Sequence, residues 1–186
     1  MITRTAHAAI RVAEITAWVV AATVGWSDRT VTRPGTDHLS AAEIVALLDL
    51  RPLPVEGGMF AQTFADEHGS GIYFLVAPPQ YSALHVLDTA EVYHHYAGAP
   101  LAMLLLWPDG RTETPVLGSD LRAGQRPQLR VPPGVWQGSS STGAWSLVGT
   151  TLAPPWRDEA VTFAGRDELT ARWPQAAARI AELTPS

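Results

Sequence analysis

The chain has 186 residues, 46% of them apolar, a mean hydropathy of +0.03 and a formal net charge of −5. These values suit a soluble globular protein and argue against a nucleic-acid partner, which would need a basic face. All thirteen cationic side chains are arginine and there is no cysteine, which excludes lysine Schiff bases, lysine phosphate loops, disulfides, thiolate nucleophiles and cysteine metal sites.

Length predicts one domain, residues 40–186, preceded by a helical arm and linker over residues 1–39. Residues 8–26 are apolar, but Arg11 and Glu14 interrupt them. The uncharged stretch that remains, 15–25, falls short of the ~20 residues a bilayer span needs. No small-x-small cleavage site follows before Trp26. The arm therefore reads as a helix packing on the body or on a partner subunit, in a cytoplasmic protein with no membrane partner. Residues 27–39 are polar with a Pro-Gly step, a linker.

Ser40-Ala41-Ala42-Glu43 matches a capping box. It predicts a short helix with Ile44, Leu47 and Leu48 on one face, stopped by Pro52 and Pro54. Glu56-Gly57-Gly58 opens a strand-rich body. Its runs are 59–65, 71–77, 82–87, 91–96, 101–107, 111–117, 128–131, 145–152 and 160–164. Trp107-Pro108-Asp109-Gly110-Arg111 is a hairpin turn, because Asp-Gly tolerates positive φ. Many short strands at this spacing predict a mainly β sandwich or barrel. The chain closes with a helix over 166–173 and a second after Pro174, where Ala177, Ile180 and Ala181 form an apolar stripe.

The candidate chemistry lies in residues 82–98. They hold three of the six histidines, His85, His94 and His95, together with Glu91. On strands, alternation places His85 and Leu87 on one face, and Glu91, Tyr93 and His95 on one face of the next strand. Polar side chains on apolar strands are costly unless they line a wet cavity or hold a metal or ligand. His85 and Glu91 are therefore expected to share a cavity. The plainer alternative makes His94 or His95 solvated and His85 a hydrogen-bonded core residue.

Several blocks, taken together, resemble the cupin superfamily, and within it the cupin 5 or DUF985 group. They are LLDLRPLPVEGGMFAQTF, GIYFLV, SALHVLDTAEVYHHYAGAPLAMLLL, VLGSDLRAGQRPQLRVPPGVWQG, WSLVGTTLAPPW and ELTARWPQAAARIAEL. The resemblance covers about residues 41–184 and leaves out the arm. It implies a double-stranded β-helix, or jelly-roll barrel, with short flanking N- and C-terminal helices, usually a homodimer, with a cavity at one mouth. Many cupins hold a metal through HxH, a glutamate and a later histidine. Laid over that pattern, His85 takes the first position, Leu87 falls at the second, Glu91 is the glutamate and Gly98 the closing glycine. Pro132-Pro133-Gly134-Val135-Trp136-Gln137 resembles PxGxxH with Gln137 in place of the histidine. A metal, if held, would fall to His85, Glu91 and Gln137, with His95 able to swing in. With two of four ligands replaced, the resemblance implies a cavity without a cofactor.

In such a cavity His85 and Glu91 suit proton transfer, with His95 on the Glu91 face counted beside them. Tyr93 and Tyr73 are candidates to donate to a developing enolate oxygen. Trp136 is a candidate wall, Gln62 and Gln137 candidate hydrogen-bonding groups, and Glu56 a candidate at the mouth. These roles resemble those of metal-free sugar-epimerase cupins. The expected function is a metal-independent isomerase, epimerase or cyclase acting on a small molecule. The alternatives are a non-catalytic ligand-binding cupin and a metal-dependent dioxygenase or decarboxylase.

Overall fold

The computed structural model describes residues 36–185. The expected arm helix, and the linker up to residue 35, lie outside the described residues. The last linker residues form a 3-10 turn, Thr36–His38, and the Leu39 carbonyl accepts from Trp145 Nε1 at 2.9 Å. Helix α1 (Ala41–Leu47) begins at the expected capping box. Glu43 N–H donates to Ser40 Oγ at 3.3 Å, and Ser40 N–H donates to Glu43 Oε2 at 2.8 Å.

The helix stops before either proline. Leu48 is its C-cap and Asp49 follows at φ 52, a left-handed residue that turns the chain out of the helix. The expected apolar face is also narrower than three residues. Ile44 is buried, Leu48 is half-buried, and Leu47 is 70% exposed.

Twelve strands follow. They are β1 (Arg51–Pro52), β2 (Met59–Ala65), β3 (Ser70–Val76), β4 (Ser82–Leu87), β5 (Glu91–Gly98), β6 (Leu101–Leu106), β7 (Thr112–Glu113), β8 (Val116–Leu117), β9 (Gln128–Val131), β10 (Trp136–Ser141), β11 (Ser146–Leu152) and β12 (Val161–Phe163). One antiparallel sheet runs β1-β2-β3-β11-β5-β9 and the second β12-β4-β10-β6-β7, with β8 also on β6. The expected single strand over 111–117 is two short strands. Pro115 lacks the N–H a continuous ladder would use, and its carbonyl accepts from Met103 N–H at 3.0 Å.

Alternation fixes what each sheet buries. Phe74 and Val76 of β3, Tyr93 of β5, Met103 and Leu105 of β6 and Val148 of β11 meet between the sheets. The intervening residues point outward. Leu75 and Leu147 pack under Ile44 and Leu50 on the outside of the first sheet. Leu84, Leu104 and Leu106 pack on the outside of the second, under Leu169, Trp173 and Ile180. The last three come from helices α2 (Arg166–Arg172) and α3 (Ala177–Glu182), joined by a 3-10 turn at Pro174–Ala176. Each such large side chain stabilises the fold by roughly 1.5–3 kcal/mol through burial.

Strand β10, WQGSSS, has no apolar alternation and was absent from the expected strands. It nevertheless sits between β4 and β6. Small residues are required there. A Cβ on Gly138 would meet the Leu84 side chain at 3.0 Å, so the glycine leaves room for Leu84. The register of β10 sets Gln137 opposite His85 on one side and Leu105 on the other.

Candidate functional site

A cavity of ≈ 340 Å³ opens between the two sheets at one end. Alternate positions build its walls: Phe60 and Gln62 on β2, Ile72 and Phe74 on β3, Thr150 and Leu152 on β11. His85 comes from β4 and Glu91 from the first position of β5. Two loops complete the rim. The turn after β1 brings Glu56, and the loop after β11 brings Trp156 and Asp158.

The Glu56 turn is locally costly. Val55 lies at φ 67, followed by Gly57 at φ 91 and Gly58 at φ 71. A β-branched residue in that region costs about 1–3 kcal/mol. At Gly58 any Cβ would also run into the Phe74 ring at 2.6 Å. The turn is tied to the start of β4: the Glu56 carbonyl accepts from Ala83 N–H at 2.8 Å and Glu56 Oε1 accepts from Ser82 Oγ at 2.7 Å. The same strand then carries His85.

His85 and Glu91 do converge, and a third residue joins them. His85 Nδ1 lies 2.8 Å from the Ala83 carbonyl. A carbonyl only accepts, so Nδ1 carries the ring proton and Nε2 is left with its lone pair. Gln137 Nε2 donates to that atom at 3.3 Å and to Glu91 Oε2 at 2.5 Å. One amide NH₂ therefore bridges an imidazole and a carboxylate, both in their basic forms. Gln137 Oε1 is buried and has no partner.

Burial is the main cause holding the Glu91 carboxyl above its ordinary value of 4.5; a proton on His85 would oppose it, and the charge of Glu56 raises it further. The Thr150 hydroxyl lies close enough to oppose the rise, yet makes no hydrogen bond of good geometry.

Four expected site residues lie outside the cavity lining, Tyr73 and Trp136 through strand parity and Tyr93 and His95 through their place along β5. Tyr73 falls between the inward Ile72 and Phe74. It points out of the first sheet, edge-on to Tyr96 at 6.0 Å. Trp136 precedes Gln137 on β10 and so faces the C-terminal helices, packing with the Leu84 cluster. Tyr93 shares the inward face with Glu91 but is part of the core between the sheets, 2% exposed. Burial, then the adjacent Glu91 charge, push its phenol well above 10.0. It backs the carboxylate and does not line the cavity.

His95 keeps the inward parity, opposite the inward Val148, but sits further along β5 from Glu91 and does not line the cavity. Opposite it, β11 pairs Val148 with His95 and Leu147 with Ala97, so Tyr96 is an extra, bulged residue. The His95 ring lies 3.3 Å from the Ala99 carbonyl through Nε2. His94 stacks on Tyr96 and reaches Thr151. Gln62 and Glu56 line the cavity as expected, and Gln137 stands behind His85. Thr150, Trp156 and Asp158 were not anticipated. The alternation Val148, Thr150, Leu152 signals the first. Nothing local signals the other two, which a loop carries to the rim.

The donor set does not fit a divalent metal. The position of a second ligand holds Leu87, 3% exposed. Gln137 turns its amide nitrogen, a donor, toward His85 and Glu91. His95, the other expected ligand, has its Nε2 at the Ala99 carbonyl and does not line the cavity. Among the described residues no group of three or more His, Cys, Asp or Glu converges as a metal site, whereas a tight site needs three or more good ligands.

Two antiparallel sheets enclosing a cavity at one end, with short C-terminal helices on the outside, define a cupin-like β-sandwich. The chain belongs to the cupin 5 family, described as Cupin superfamily (DUF985), whose model matches residues 42–164. It is similar to a Shewanella oneidensis protein of known crystal structure: 31% identity, TM-score 0.75, covering 79% of this chain and 98% of that one. It is also similar to a hypothetical protein from Leishmania major, at 25% identity and TM-score 0.73, over 80% of this chain and 100% of that one. A dTDP sugar isomerase from Desulfovibrio desulfuricans shares the fold, at 24% identity and TM-score 0.50, over 69% of this chain and 87% of that one. No curated protein matches the chain. Among the described residues no helix is long and apolar enough to cross a membrane.

Proposed function

We propose that the protein is a small-molecule enzyme, a metal-independent isomerase, epimerase or cyclase that moves a proton within the cavity. The observation that carries this reading is the Gln137 amide. Its two hydrogens go to His85 Nε2 and to the Glu91 carboxylate, so both groups accept and neither carries a proton at those atoms. Either base, once released from the Gln137 amide, can take a proton from a substrate carbon and, now itself the acid, return that proton to the same or the neighbouring carbon. Burial of Glu91 raises its proton affinity, which makes it a stronger base than a surface carboxylate.

The test is solvent exchange. A panel of 2-hydroxy ketones, aldoses and amino ketones is incubated with the protein in D₂O, and loss of the carbon-bound proton is followed by ¹H NMR. The wild type is expected to exchange at least one member. His85→Gln and Glu91→Gln are expected to slow exchange by about 10²-fold or more while circular dichroism is unchanged. Exchange by both variants at the wild-type rate rejects the reading.

One observation favours a second reading, a binding cupin without turnover. Tyr73 and Tyr93, the expected phenol donors, are both absent from the cavity lining. A panel member that binds in the cavity but shows no exchange in the wild type supports that alternative.

A further inference from the structure

We propose that this cavity selects a ligand bearing an ammonium group on an apolar body, and rejects carboxylates and phosphates. The inference rests on the cavity being the ligand site, as in the reading above, and not on proton transfer.

The lining is one-sided in charge. Glu56, Glu91 and Asp158 all line it. Among the described residues no arginine does, and the chain has no lysine. Each of the three carboxylates meets a neutral donor: Ser82 Oγ on Glu56 at 2.7 Å, Gln137 Nε2 on Glu91 at 2.5 Å, and Trp156 Nε1 on Asp158 at 3.1 Å. Two arginines come near the rim and both are turned to other work. Arg157 gives both its contacts, at 2.9 and 2.8 Å, to Asp88. Arg51 is exposed, stacked over Phe60 at 4.9 Å from the ring centroid. An anion entering would meet like charge, and His85, the cationisable group among the described lining residues, is held by the Ala83 carbonyl and Gln137 and offers it no free donor, which is discrimination by repulsion.

A cation meets the reverse. It would relieve the mutual repulsion of Glu56 and Glu91. Phe74 and Trp156 supply aromatic surface of the kind that attracts ammonium groups, and Ile72 and Leu152 supply the apolar wall for the rest of the molecule. A second, independent feature calls for a polar partner, since a hydroxyl both donates and accepts. Thr150 lines the cavity, is 3% exposed, and its hydroxyl has no hydrogen-bond partner. Buried polar atoms are normally satisfied, and an ammonium N–H would satisfy this one.

The test uses three probes of one shape: cyclohexylmethylamine, cyclohexylmethanol and cyclohexanecarboxylate. Each is titrated into the full chain near neutral pH and followed by ligand-observed NMR and calorimetry. The amine is expected to bind about tenfold or more tighter than the carboxylate, with its advantage over the alcohol shrinking as salt rises. The double variant Glu56→Gln, Asp158→Asn is expected to remove most of the amine-to-alcohol ratio. The wild-type comparison stands even if that variant fails to fold. The proposal is overturned if the carboxylate binds as tightly as the amine, if the amine does not bind, or if the ratio survives in a folded double variant. Amine binding without any proton exchange would sink the catalytic reading and leave this one standing. Proton exchange on an aldose or 2-hydroxy ketone with no binding of the amine would do the opposite.

Discussion

Gln137 commits both of its amide hydrogens to bases, one on the imidazole of His85 and one on the carboxylate of Glu91. The Gln137 hydrogen bond opposes the rise that burial imposes on the Glu91 carboxyl. The consequence for stability has a definite sign. A group whose folded pKa lies above its unfolded value contributes stability fully below the unfolded value and loses it as pH rises through the folded one. Glu91→Gln cannot ionise, so it is expected to melt higher than the wild type above neutrality. The gap should close as pH falls below the ordinary 4.5. Melting curves across pH check this; a wild type more stable than the variant above neutrality would contradict it. His85 and Glu91 were legible in the sequence because polar groups at inward positions of apolar strands need a cavity. Tyr73 and Trp136 were misplaced because parity decides their side of the sheet, and each is one residue out of phase with the cavity face.

Single elements show where local pattern runs out. The Asp109-Gly110 turn was readable: Gly110 takes φ 90, and Trp107 N–H reaches the Arg111 carbonyl at 2.9 Å. Strand β10 was not, since its six residues have neither apolar alternation nor β propensity and are held by their neighbours alone. The bulge at Tyr96, which sets Ala97 opposite Leu147, leaves no local signature either. Gly98 at the end of the same strand makes the cost of that path testable. It lies at φ 80, and a Cβ there would overlap the Trp145 ring. Gly98→Ala is expected to destabilise the fold by about 1–3 kcal/mol, measured by urea denaturation. A change of under about 0.5 kcal/mol would show that Trp145 moves freely.

At the scale of the whole molecule, the C-terminal helices are a cover for the second sheet. Trp173 is 1% exposed in the cluster with Leu84, Leu104 and Leu106, and its Nε1 donates to the Trp107 carbonyl at 3.1 Å. Trp173→Ala is expected to cost about 3–5 kcal/mol; a loss below about 1 kcal/mol would mean the cover is not part of the cooperative fold. Strand count and family blocks made the sandwich legible from sequence. The charge character of the cavity was legible only in part: Glu56 was expected at the mouth, whereas Asp158 reaches the rim on a distant loop that carries no local signal. What the account most depends on is an imidazole at residue 85 whose Nε2 carries no proton and accepts from Gln137 beside Glu91. Ring-nitrogen ¹⁵N NMR of the histidines near neutral pH, with His85 assigned by its loss in His85→Gln, reads this directly. The account predicts a proton on Nδ1 and none on Nε2; a proton on Nε2 with Nδ1 bare would contradict it.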